Sequence, residues 1–326
     1  MILQLIFIAV GFALLIGGAN LLVDGASQIA QRIGLPDRVI GLTIVAVGTA
    51  MPELVVSVAS AVEGHADIAF GNVAGSCIAN LLLILGMSAI ISPLGLSRHT
   101  QRFEIPVAVG AVGLLVIFSN SGGALDAVEG AILLACFLAF VAHTVVLGLR
   151  EGESGQDELD PETQLEPREP TSGTGARGAV ASVLFVAIGI ALLKFGADLV
   201  VDNSVRLAGE VGISERVIGI TVIALGTCLP ELVTSIVAAL RGNIDIAVGN
   251  VVGSNISNVL LVMGVPALFS PIVYDTGYNF DFLLLAVFSI MLVGFAFVGV
   301  RHTMTRREGV AFVFLYIVYI VISAIA

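Results

Sequence analysis

Residues 48–57 read GTAMPELVVS and residues 226–235 read GTCLPELVTS. Each sets a glutamate directly after a proline inside a long apolar run. An ionisable side chain at membrane depth is costly. A proline inside a helix removes a backbone hydrogen bond and crowds the preceding turn. One chain accepts both costs twice, 178 residues apart, so the two stretches are read as copies of one functional unit.

The surroundings decide the fold class. The chain has 326 residues, of which 57% are hydrophobic and only 12% charged. Soluble domains carry about 25% charged residues, so this composition belongs to a multi-pass membrane protein. Ten apolar segments are each long enough for the ~20 residues a bilayer requires: 2–23, 39–62, 66–92, 104–120, 125–148, 179–201, 217–240, 244–270, 280–300 and 309–325. The first lacks a basic leader and reads as a spanning helix, not a cleaved signal. Cys77, Cys136 and Cys228 lie in apolar runs and predict no disulfide framework. The 37 glycines suit closely packed helices.

Shifting the chain by 178 residues aligns Gly11 to Pro93 with Gly189 to Pro271 without a gap, and 25 of 46 positions are identical between 41–86 and 219–264. The expected architecture is an all-α integral membrane fold of ten transmembrane helices in two five-helix repeats, 1–150 and 179–326. An acidic, Pro/Gly-rich linker, 151–178, joins them and reads as a solvated tether. An odd number of spans per repeat forces the second copy to enter from the opposite side, giving inverted repeats. The net charge of −11 excludes a basic nucleic-acid surface.

Orientation follows the basic residues. One set of loops carries eleven: Arg32, Arg38, Arg98, Arg102, Arg150, Arg168, Arg177, Arg241, Arg301, Arg306 and Arg307. The other carries two, Arg206 and Arg216, with Lys194 inside the sixth span. The linker is therefore expected in the cytoplasm and both termini outside the cell membrane.

Residues four apart share a helix face. Thr49, Glu53 and Ser57 make one oxygen-bearing stripe, repeated by Thr227, Glu231 and Ser235. Asn72, Ser76 and Asn80 make another, repeated by Asn250, Ser254 and Asn258. Four such stripes on related helix pairs are expected to face one another. Pro52 and Pro230 cannot bond the carbonyls of Gly48 and Gly226, and the nearby carbonyls of Ala46 and Ala224 are expected to loosen too. Non-helical backbone at membrane depth is tolerated where it lines a cavity. Carboxylates, hydroxyls, amide oxygens and freed carbonyls are the ligands of hard cations. Gly71/Gly75 and Gly249/Gly253 would let the helices approach closely. Asn72, Asn250, Ser57 and Ser235 serve equally well as structural partners of broken backbone. Lys194 and Asp198 are expected to neutralise each other, Asp24 and Asp202 to lie near span ends, and Asp67 and Asp245 to open the third and eighth spans. The four histidines show no ligand spacing.

The segments GLTIVAVGTAMPELVVS with GNVAGSCIANLLLILG, and GITVIALGTCLPELVTS with GNVVGSNISNVLLVMG, closely resemble the two alpha repeats of the sodium/calcium exchangers, a branch of the calcium/cation antiporters. The resemblance implies a ten-helix carrier whose second, third, seventh and eighth spans form the ion-binding core. The first and sixth spans would slide against it as a pair. It also implies Glu53 and Glu231 as shared calcium and sodium ligands, and Thr49 and Thr227 as calcium ligands. Ser76 and Ser254 with the Ala46 and Ala224 carbonyls would form flanking sodium sites, and Asn80 and Asn258 the middle site. No cofactor, nucleic acid or protein partner is implied, only inorganic cations and the bilayer.

Three features depart from the family pattern. Ala50 and Cys228 stand where it has a serine. Asn258 stands where some members have an acid. Cys77 alters the first copy after its Gly-Ser. The resemblance implies exchange of Ca²⁺ for Na⁺; the three departures bear on the coupling ion, and Ca²⁺/H⁺ antiport by the same glutamates is the alternative. A cation channel would conduct without a counter-ion. An intramembrane protease would need a catalytic motif that the sequence lacks.

Overall fold

The computed structural model describes residues 2–154, 176–210, 224–298 and 303–325. Most of the expected linker, and residues 211–223, which include the start of the expected seventh span, lie outside the described residues. The described chain is all-α apart from four two-residue strands. In order, α1 is Ile2–Ile33, α2 Asp37–Thr49, α3 Met51–Val62, α4 Ala66–Ile91, β1 Leu94–Gly95, α5 Thr100–Gly122, β2 Ala124–Leu125 and α6 Ala127–Ser154. The second part runs α7 Ala176–Glu210, α8 Ala224–Gly226, α9 Leu229–Leu240, α10 Ile244–Ala267, β3 Ile272–Val273, α11 Tyr278–Val298, β4 Thr303–Met304 and α12 Arg306–Ile325.

Among the described residues, six helices are long and apolar enough to cross a bilayer, or seven if the bent pair α2–α3 is one span. The shorter α9 is also apolar, and α12 opens on Arg306, Arg307 and Glu308. The three cysteines form no disulfide.

The bend between α2 and α3 is 45°. It falls at Ala50, whose backbone leaves the helix with φ −79° and ψ 2°. Cys228, 178 positions later, has φ −83° and ψ −1° at the start of α9. The prolines therefore do not interrupt a continuous helix, as expected from sequence. Pro52 and Pro230 sit in the first turn of a restarted helix, where the missing N–H costs nothing. Leu54 N–H donates to Ala50 O and Leu232 N–H to Cys228 O, which closes the restart in both copies.

The long helices α1 and α7 are antiparallel and touch backbone to backbone. Gly11 meets Gly196 and Val200, Gly18 meets Gly189 and Leu193, and Gly25 meets Ser182 and Val186. A Cβ on Gly18 would lie 2.8 Å from Gly189 O, and one on Gly189 2.8 Å from Gly18 O, so only glycine permits this approach. Together with Val39, Ala238 and Ala247 this pair forms its own apolar cluster. The larger cluster is built from α4, α5, α6, α10, α11 and α12, around Phe70, Leu85, Leu133, Val251, Phe282 and Phe312.

Pairings between the halves are reciprocal. Gly11 with Gly196 matches Gly189 with Gly18 under the 178-residue shift. The strand β1 pairs antiparallel with β4, and β2 with β3, so each copy's strand binds the non-equivalent strand of the other. Of the small-residue pairs, Gly249 and Gly253 press against the backbone of α2, where a Cβ would lie 2.9 Å from Arg38 O and 2.6 Å from Leu42 O. Gly71 meets the Tyr278 hydroxyl.

Arg38, counted above as a loop charge, is instead buried at the start of α2. Its Nε lies 3.3 Å from Glu104 Oε1, and it donates to Ser97 Oγ at 3.1 Å.

Candidate ion-binding site

The restarted helices fix the two glutamates. Glu53 lies in the first turn of α3 and Glu231 in the first turn of α9. A helix N-terminus carries partial positive charge, so each carboxylate is placed where its ionised form is favoured. Both are 1% exposed. They interact electrostatically with each other and with the Cys228 thiol. Glu53 faces the Thr227 side chain and Glu231 faces Thr49, an exchange across the repeats, although neither approach reaches hydrogen-bond geometry.

The asparagines hold each restart to the following helix. Asn72 Nδ2 donates to Glu53 O at 3.2 Å and to Ser57 Oγ at 3.1 Å. Asn250 Nδ2 donates to Glu231 O at 3.4 Å and to Ser235 Oγ at 2.9 Å. Asn250 also accepts from Thr49 Oγ1 at 3.1 Å, which ties α10 to the end of α2. Asn250 is fully buried, whereas Asn72 is half-buried. Ser57 and Ser235 thus face these amides and not the lipid.

Asn80 and Asn258 stand at matching points of a local widening. A π-helical turn spans Ala79–Ile84 in α4 and Asn258–Val262 in α10. Such turns recur at functional sites because they shift side-chain register and loosen the carbonyl ladder. Sequence reading found both asparagines but not the turns, because a π-turn has no periodicity of its own.

Within this core the donor atoms are strongly under-satisfied. Both oxygens of Glu53, both of Glu231, both amide atoms of Asn80 and of Asn258, and Ser254 Oγ are buried without a hydrogen-bond partner. Buried polar groups are normally paired, since each orphan costs about 1–3 kcal/mol. Ser76 is buried beside Cys228. The Ala46 carbonyl is not free: it accepts from Ala50 N at 3.0 Å and from Thr49 Oγ1 at 3.3 Å. Ala224 is the first described residue of its segment. Thr227 is partly buried, with its hydroxyl 4.0 Å from Cys228 Sγ.

Among the described residues no group of three His, Cys, Asp or Glu side chains is arranged around one point. The donor set is two carboxylates surrounded by neutral hydroxyl and amide oxygens. That chemistry suits a hard cation with a flexible shell, as calcium has, better than a transition metal.

Other charges within the spans pair with one another. Lys194 Nζ lies 2.6 Å from both carboxylate oxygens of Asp198, as expected from their spacing. Arg241 pairs with Asp24 and Asn20. Asp67 lies in the first turn of α4 and Asp245 in that of α10.

A family model described as sodium/calcium exchanger protein matches residues 3–146 and 181–325. Sodium/calcium exchanger MaX1 of Methanosarcina acetivorans is 30% identical over 97% of both chains. Inner membrane protein YrbG of Escherichia coli is 34% identical over 89% of both. Among solved structures, the sodium-calcium exchanger NCX_Mj soaked with 2.5 mM Na⁺ and 0.1 mM Ca²⁺ superposes with a TM-score of 0.81, at 30% identity and 98% coverage of each chain.

Proposed function

The chain belongs to the sodium/calcium exchanger family, a multi-pass membrane cation antiporter and not an enzyme, and from that premise we propose that it exchanges Ca²⁺ for Na⁺ at one site built on Glu53 and Glu231. Thr49 and Thr227 complete the calcium shell. Asn80 and Asn258 flank the middle of the site. Ser76 and Ser254, with the carbonyls of Ala46 and Ala224, take sodium, and the Ala46 carbonyl, still accepting from Ala50 N–H, offers its second lone pair when the Thr49 hydroxyl turns to the ion. Asn72, Asn250, Ser57 and Ser235 position the restarts.

The observation that carries this reading is the set of buried, unpartnered oxygens on Glu53, Glu231, Asn80, Asn258 and Ser254. Two ionised carboxylates give the site a charge of −2, which one Ca²⁺ cancels and three Na⁺ overshoot by one. Moving an uncompensated carboxylate through low dielectric costs about 20 kcal/mol in the idealised limit and still several after relaxation. The carrier therefore moves when filled and seldom when empty, and that asymmetry makes transport an exchange.

The same reading takes 1–150 and 179–326 as inverted five-helix repeats of ten spans, joined by a cytoplasmic linker at 151–178, with both termini outside. The antiparallel α1–α7 contact and the crossed strand pairs support it, because contacts that recur reciprocally under the 178-residue shift are what a two-fold axis in the membrane plane generates. The separate apolar cluster of α1 and α7 supports their movement as a unit against the core.

The test is uptake of radioactive calcium into proteoliposomes. An outward sodium gradient should drive it, and an outward potassium gradient should not. If a proton gradient drives uptake and sodium does not, the glutamates carry protons and the sodium assignment is wrong.

A further inference from the structure

Beside the site lies a cavity of about 310 Å³, lined by Gly48, Thr49, Pro52, Ile190 and Pro230 together with Lys194. It lies between α7 and the first turns of α3 and α9, its remaining lining is apolar, and it reaches Thr49, one of the proposed ligands. Among its described lining residues Lys194 alone is charged. An ammonium lining a cavity that reaches a cation ligand repels an entering cation, and the repulsion scales with the charge of that ion. Its partner is one helical turn away: Asp198, with both carboxylate oxygens 2.6 Å from Nζ. The matching positions in the first copy, Ile16 and Asn20, carry no charge, so only one of the two related flanks has this pair.

We propose that the Lys194–Asp198 pair is a valence-sensitive gate on cation access to the Thr49 end of the site. Asp198 cancels the ammonium, which otherwise opposes a divalent ion twice as strongly as a monovalent one. This rests on the exchange reading above and adds to it a pair that sets selectivity without ligating the ion.

Because a barrier enters the rate exponentially, a threefold slowing of Na⁺ implies about a ninefold slowing of Ca²⁺. In proteoliposomes, Ca²⁺/Ca²⁺ and Na⁺/Na⁺ self-exchange are measured with radioactive tracer at subsaturating ion. Asp198→Asn, which leaves the ammonium uncompensated, should slow calcium by about the square of the factor for sodium. Lys194→Met should accelerate calcium more than sodium. The double variant should return both rates to near those of the wild type, which also shows that neither change prevents folding. Equal effects on both ions, or a double variant no better than Asp198→Asn, would overturn the gate. Loss of one tracer exchange in the wild type itself would instead count against the exchange reading.

Discussion

Cys77 and Asn255 occupy the same position in the two copies, and they bond each other. Asn255 Nδ2 donates to Cys77 O at 3.2 Å, and Cys77 Sγ donates to Asn255 O at 3.8 Å. Equivalent residues can touch only on the axis that relates their repeats. This contact therefore marks the centre of the core, and Cys77 lies there beside Asn258. Substituting Asn255→Cys should place two thiols on that axis. Mild oxidation should then form an intramolecular disulfide, read as a 2 Da mass loss. Unchanged mass under oxidant that fully converts a control dithiol would contradict the pairing.

The two bridging asparagines are not equal. Asn250 ties together Thr49, Ser235 and the Glu231 carbonyl, while Asn72 reaches only Ser57 and the Glu53 carbonyl. Removing a buried amide that satisfies several groups costs about 1–3 kcal/mol. Asn250→Ala should weaken apparent calcium affinity by about tenfold, and Asn72→Ala by less. Calcium titration of exchange rate checks the order, and a larger loss in Asn72→Ala would reverse it.

The backbone contact between α1 and α7 gives a control within one turn. A Cβ on Gly18 would meet Gly189 O, whereas one on Gly17 meets nothing within 4 Å. Gly18→Ala should lower the thermal midpoint, with an overpacking cost of about 1–3 kcal/mol, and slow exchange. Gly17→Ala should do neither. Thermal unfolding in detergent and tracer flux separate the two.

At the start of α5, burial and the neighbouring charges of Arg38 and His143 push His99 down to about 4. The unfolded chain binds its proton near the ordinary value of about 6.5. Between those values the unfolded state holds more protons, so the contribution of neutral His99 is complete above about 6.5 and lost as the pH falls towards 4. Acidifying from pH 7 to 4.5 should lower the thermal midpoint of the wild type more than that of His99→Gln. Equal falls would place the acid sensitivity elsewhere.

Much of this was legible in residue order. The repeated PEL stretches, the polar stripes at spacing four and the Lys194–Asp198 pair each follow from local periodicity, which is the information a sequence carries most directly. The interruption in the second span was anticipated from Pro52, but its place at Ala50 was not. A proline tolerates the first turn of a helix, so the chain relieves it by stopping one step earlier. The π-turns at Asn80 and Asn258 have no periodicity of their own, so no local pattern announces them. Arg38 illustrates the same limit, since only the fold brings Glu104 to it across the third span. Cys228 reads in sequence as a missing hydroxyl, and the fold buries its thiol within the electrostatic reach of both carboxylates.

The most direct test is equilibrium calcium binding to the purified protein, by calorimetry and by the rise of thermal midpoint with calcium concentration. One Ca²⁺ per chain is expected. Both Glu53→Gln and Glu231→Gln should lose more than about 100-fold in affinity, because each leaves a single buried carboxylate against a divalent charge. Both should also unfold at or above the wild-type temperature without calcium, since one buried anion has been removed. Calcium binding of near wild-type strength in either variant would mean that the two carboxylates do not share one ion.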